Sequence, residues 1–180
     1  MKNIILILLL FIAFQSCATR KPSDWKMSID GKPTGLNNFI NLNGFYITEG
    51  KCGNNSRDAF LFYNNGIFLN IIISEKENFI DISKEYFLGM DSLSYVSWGA
   101  YKIVDSTIIA QQITNPGKFL QSFALNLKFH LIPNEKIIFE TYYNKAENTC
   151  KTSLDFYPLD TIISYEKCPY INKNWFIKNK

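Results

Sequence analysis

Four cysteines and one histidine carry most of the reactive chemistry in this 180-residue chain. Cys17, Cys52, Cys150 and Cys168 contain no Cys-x-x-Cys pair, so the spacing of a thiolate zinc site is missing. His130 has no second histidine to share a metal or relay a proton. Asp58, Glu75, Glu77, Asp81, Asp105, Glu140 and Asp155 are scattered, and acid–base work would need a fold that pairs two of them. There is no Gly-x-Ser-x-Gly elbow, phosphate-cradling glycine loop or dinucleotide fingerprint. These residues point away from an enzyme and call for no metal or cofactor. His130 is expected as a solvated wall residue beside Lys128. Two kinds of cysteine chemistry remain: acylation and disulfide formation.

Acylation concerns Cys17. Lys2 gives a short positive start, and Ile4 to Phe14 is an apolar run shorter than the ~20 residues a membrane span needs. The following stretch, "FIAFQSC" (11–17), resembles a lipobox of the relaxed type familiar from Bacteroidetes-like bacteria. The resemblance implies cleavage after Ser16 and a lipid (palmitate-type acyl chains) on Cys17. The alternative is an ordinary secretory signal that happens to contain Cys17. Each buried lipid CH₂ contributes about 0.8 kcal/mol, so several chains hold durably where one does not. Ala18 is not the inner-membrane retention Asp, and no acidic export run follows Cys17. Both comparisons favour an outer-membrane anchor facing the periplasm.

Residues 1–16 are thus assigned as signal peptide. Residues 17–37 hold Pro22, Gly31, Pro33 and Gly35 among charges without a period, and are expected to be a lipidated tether. Residues 38–180 form one domain. The net charge of +3 is too weak and dispersed for a nucleic-acid partner. An aromatic content of 16% with abundant Ile, Thr and Tyr suits pleated, half-buried strands.

The elements that must position any site are therefore strands. Gly44–Thr48 is the first. Ala59–Tyr63 and Ile67–Ile73 flank an Asn65-Gly66 turn, and Trp98–Val104 and Thr107–Ile113 flank Asp105-Ser106. Lys136–Tyr143 and Lys151–Tyr157 follow. Helical spacing of Ile82, Tyr86 and Gly89 allows one short helix between strands. The stretch from Phe119 to Ile132 alternates apolar and polar residues over fourteen positions, long for a strand. One face must meet other strands and the other meets water. Coiling an antiparallel meander on itself satisfies both and removes open edges. The expected fold is all-β, an antiparallel up-and-down eight-stranded barrel. Phe119, Phe123, Leu125, Leu127, Phe129 and Leu131 should point inward.

The order of "LNGFY" (42–46), "FYNNGIF" (62–68), "WGAYKIVDSTIIAQ" (98–111) and "NKNWFI" (172–177) resembles the lipocalin-like domains of bacterial lipoproteins. Tyr46 stands where that family's first-strand motif has Trp. The resemblance implies a barrel that takes a small apolar or amphipathic ligand, lined by Tyr46, Phe62, Tyr101, Phe123, Leu125, Leu127, Phe129 and Phe139. Tyr63 and Tyr142 would add polar tips at its mouth. Barrel closure brings the first and last strands together, which implies a Cys52–Cys150 disulfide; Cys150–Cys168 is the rival pairing. A self-filled barrel would instead serve as an envelope interaction protein, an assembly partner or enzyme inhibitor, with residues 74–94 as its surface.

Overall fold

The computed structural model describes residues 21–49, 56–74, 96–114, 122–132, 136–143 and 148–178. Eight strands form one closed antiparallel barrel: β1 (Gly44–Thr48), β2 (Ser56–Phe62), β3 (Ile67–Ser74), β4 (Val96–Val104), β5 (Thr107–Thr114), β6 (Phe123–Leu131), β7 (Ile137–Tyr143) and β8 (Asn148–Pro158). Every strand pairs with its sequence neighbours, and β1 closes the circle on β8 from Gly44↔Pro158 to Thr48↔Leu154. Among the described residues, helix is confined to two 3-10 turns, Leu36–Asn38 and Tyr165–Lys167. The expected helix at residues 82–89 lies outside the described residues.

Turn chemistry sets the registers. Asp105-Ser106 joins β4 to β5 as a two-residue turn, with Val104 opposite Thr107 and Asp105 at φ 55°. The β2–β3 connection differs from expectation. Tyr63 faces Ile67 across a three-residue loop, Asn64-Asn65-Gly66, and only Gly66 has positive φ, at 85°. A type I turn followed by a left-handed glycine gives this geometry. A Cβ on Gly66 would also lie 3.0 Å from Ile29 and 3.1 Å from the Tyr101 carbonyl.

The long strand is shorter than its alternation predicts. β6 starts at Phe123 because its partner β5 ends at Thr114, directly opposite. Phe119 lies outside the described residues. Phe123 is in the inward phase, yet it sits at the strand's first position on the rim and is 43% exposed, a correction to its expected inward burial.

Successive strand residues divide between two apolar clusters. Tyr46, Phe60, Phe62, Phe68, Tyr101, Ile108, Leu127, Phe129, Ile137, Phe139 and Leu154 fill the interior. The alternate residues of β1 to β5, including Phe45, Ile47, Leu61, Leu69, Ile71 and Trp98, form a second cluster outside the wall. A wall apolar on both faces needs a cover, and both ends of the described chain supply it. Trp25 and Ile29 arrive from the N-terminal side, and Ile163, Cys168, Tyr170 and Phe176 from the C-terminal side.

The segment expected to be a tether is thus docked. Trp25 is 2% exposed and stacks on Phe176 at 5.4 Å. Ile29 and Ile177 form a parallel bridge. The Gln111 side-chain carbonyl accepts from the Lys26 and Met27 amides, both at 2.8 Å. Burying Trp25 offers roughly 2–3 kcal/mol, enough to offset ordering of a short strap. Among the described residues the β6–β8 wall has no such cover, and its outer face includes the polar Lys128, His130, Lys151 and Asp155.

Candidate functional site

The barrel interior is layered along its axis. At one rim, the turn Leu36–Asn38 and the segment to Asn41 form a strap across the barrel end. The middle is a solid aromatic stack. Phe129 lies 4.9 Å from Phe60, 5.2 Å from Phe62 and 5.1 Å from Phe139, ring to ring. The third layer, toward the opposite rim, is polar: Thr48, Asp58, Asn70, Gln112 and Thr114.

The layering places the expected ligand residues individually. Phe62, Tyr101, Leu127, Phe129 and Phe139 are buried in the packed interior. They form a floor instead of lining an open cup, because seven large rings, Tyr46, Phe60, Phe62, Phe68, Tyr101, Phe129 and Phe139, share the barrel bore. Leu125 is half-buried against the same cluster, and Phe123 is exposed at the far rim. Tyr101 is fixed by its own hydroxyl, which donates to the Tyr63 carbonyl at 2.7 Å and lies 3.0 Å from Thr34 Oγ1. Burial pushes its pKa up to about 12. Tyr63 faces outward, stacked on Trp98, away from any mouth. The Tyr142 side chain lies outside what is described.

Of the expected set, Tyr46 lines the cleft beneath the strap, whereas Tyr101 and Phe62 border other concavities. A cleft of about 450 Å³ enters the barrel beneath the strap. Leu131, Ile137, Leu154, Phe156 and Tyr46 form its apolar body, with Lys136, Asp155, Asn38 and Asn41 among its polar groups. Tyr46 is held by donating its hydroxyl to the Asn41 carbonyl at 2.9 Å, and burial raises its pKa to about 12. Phe39 and Ile132 stand exposed at the lip. Strand periodicity gives the inward phase of these residues, but the strap's path, which makes the cleft, has no sequence period.

The polar layer has no sequence motif of its own. Asn70 Nδ2 donates to Asp58 Oδ1 at 3.0 Å and to Gln112 Oε1 at 2.9 Å. Both partners accept, which fixes the amide orientation and leaves Asn70 Oδ1 without a partner. Burial raises the pKa of Asp58, and the Asn70 amide opposes the shift. Asn70 and Gln112 sit in the inward phase of apolar strands, the one sequence signal that could have located them.

His130 lies on the outer wall as expected, with Nε2 2.9 Å from Glu140 Oε2 and Nδ1 3.5 Å from Thr107 Oγ1. Lys151 Nζ approaches the same Glu140 oxygen at 3.4 Å. The His130 hydrogen bond, with Lys151, holds the Glu140 carboxyl below its usual range. On the same wall Glu49 bonds Ser153 and, at 3.0 Å, Lys136. No group of His, Cys, Asp or Glu with metal-site geometry occurs among the described residues.

Cys168 is a free, buried thiol, so the Cys150–Cys168 pairing is not formed. Cys150, at the start of β8, is disulfide-bonded. Cys17 and Cys52 lie outside the described residues. Comparison with protein-family models, curated proteins and solved structures returns no match.

Proposed function

We propose that this chain is a lipocalin-like lipoprotein, anchored to the outer membrane through Cys17 and facing the periplasm, whose barrel binds a small amphipathic ligand in the strap-side cleft. The carrying observation is that cleft. Its volume of about 450 Å³ falls in the range of small-molecule pockets, ~300–1,000 Å³. Five apolar side chains take a ligand's body, and Lys136, Asp155 and the strap asparagines meet its polar end. Binding, not catalysis, suits this lining. Titration with a dansylated fatty acid tests it directly. Ile40→Trp, which fills the cleft from the half-buried strap, should weaken binding at least tenfold. Unchanged affinity in that variant, or no saturable binding by the wild type, would remove the cleft as the site.

A second reading is an envelope interaction protein, an assembly partner or enzyme inhibitor. Phe39, Ile132 and Tyr157 favour it, being large apolar residues exposed near the strap end. The surface expected at residues 74–94 lies outside the described residues. Pull-down from envelope extract with wild type and Phe39→Ser separates the readings: a partner lost in the variant, without fatty-acid binding in the wild type, selects this one.

We also propose that Cys52 is the partner of Cys150. The β1–β8 register, Gly44↔Pro158 through Thr48↔Leu154, sets residue 52 opposite residue 150 if continued four places. Non-reducing peptide mapping should recover the 52–150 pair; a peptide joining Cys150 to Cys17 would refute it.

A further inference from the structure

We infer that the barrel stands with its far rim, opposite the strap, against a lipid bilayer, and that the ligand cleft therefore opens away from the membrane. This rests on the anchor reading for Cys17. The path of the docked N-terminal segment carries this inference. Asp24 Oδ1 accepts the Ala124 amide at 2.9 Å, one residue from the start of β6 and close to the far rim. Lys26 and Met27 then bond Gln111, three residues before the far-rim end of β5. Ile29 reaches Gly66, in the β2–β3 turn on the strap rim. The Thr34 amide bonds the Asn64 carbonyl in the same turn. The chain thus enters at the far rim and descends the outer wall to the strap.

What precedes this descent is short. The Trp25 amide bonds the Pro22 carbonyl, and Pro22 is itself buried. Four residues separate Cys17 from Pro22, five steps with a reach of at most about 18 Å when fully extended. Trp25 and Phe176 hold the segment down, so no further slack is available without undocking it. An acylated Cys17 therefore keeps the docked entry of the chain at the far rim within about 18 Å of the lipid surface. The strap-side cleft is left facing the aqueous compartment, and its ligand must arrive through water.

Energy transfer to the bilayer tests the orientation. The full chain, expressed with its leader and purified from membranes, is reconstituted in phosphatidylethanolamine–phosphatidylglycerol vesicles carrying an acceptor-labelled lipid. A donor dye is placed at the far rim by Ser122→Cys or at the strap rim by Ser106→Cys. Transfer should be at least twice as efficient from position 122. Trp25→Ala, which frees the segment, should keep the protein on the vesicles while erasing the difference. Equal transfer from both positions, or more from 106, overturns the orientation and leaves the anchor standing. A wild type that behaves like Cys17→Ala and stays soluble removes the anchor, and the orientation with it.

Discussion

Asp58 is the residue whose environment departs furthest from what its type prefers. It lies inside the barrel, and the side chains around it are amides and hydroxyls, Asn70 and Thr48 among them. Its raised pKa means its contribution to stability is full below the ordinary value of 3.8 and is lost as pH climbs through the folded value. At neutral pH the ionised form is a cost. Asp58→Asn should therefore raise the urea midpoint at pH 7, by the equivalent of about 1 kcal/mol, since its amide can also donate to Asn70 Oδ1. Glu140 has the opposite sign. Its depressed pKa gives stability above 4.5 that is lost as pH falls through the folded value. Glu140→Gln should flatten that acid limb in urea titrations. Neither environment was legible in the sequence. A lone Asp or Glu in an alternating strand shows which face it takes, but its partners come from strands dozens of residues away. His130 was legible because its phase alone fixed it outside.

Strands are legible in the sequence and straps are not, for one physical reason. A strand's period of two is local, whereas the docking of an irregular segment depends on an apolar surface built elsewhere. Trp25 and Ile29 have no periodic neighbours, so they resembled a linker; they are buried because β1 to β5 are apolar on both faces. Trp25→Ala should cost about 3 kcal/mol in thermal or urea unfolding, through lost stacking and a residual cavity. Gly99 makes a second prediction for a strand. A Cβ there would run into the Phe68 ring and the Gln111 carbonyl. Gly99→Ala should destabilise by about 1–3 kcal/mol, with the near-ultraviolet signal of the aromatic stack disturbed as well. Turn identity was half legible: Asn65-Gly66 marked the hairpin, but one left-handed glycine instead of two such residues made the loop a residue longer.

At the scale of the whole molecule, closure of β1 on β8 follows from the meander and was legible as such. The filling of the bore was not, because counting inward phenylalanines does not show where rings interlock. The resulting body is asymmetric. One half of its wall carries a coat made from both ends of the described chain, and the other half has no such coat among the described residues.

Cys168 sits buried in that coat. Burial pushes its thiol up to about 12, so it is protonated and shielded at physiological pH. Alkylating reagents can reach it only when the C-terminal flap peels away. Its labelling rate is then a native clock for flap lifting, independent of barrel unfolding. A fusion at the C-terminus that strains the Ile29–Ile177 bridge should speed that clock while strand amides stay protected from deuterium.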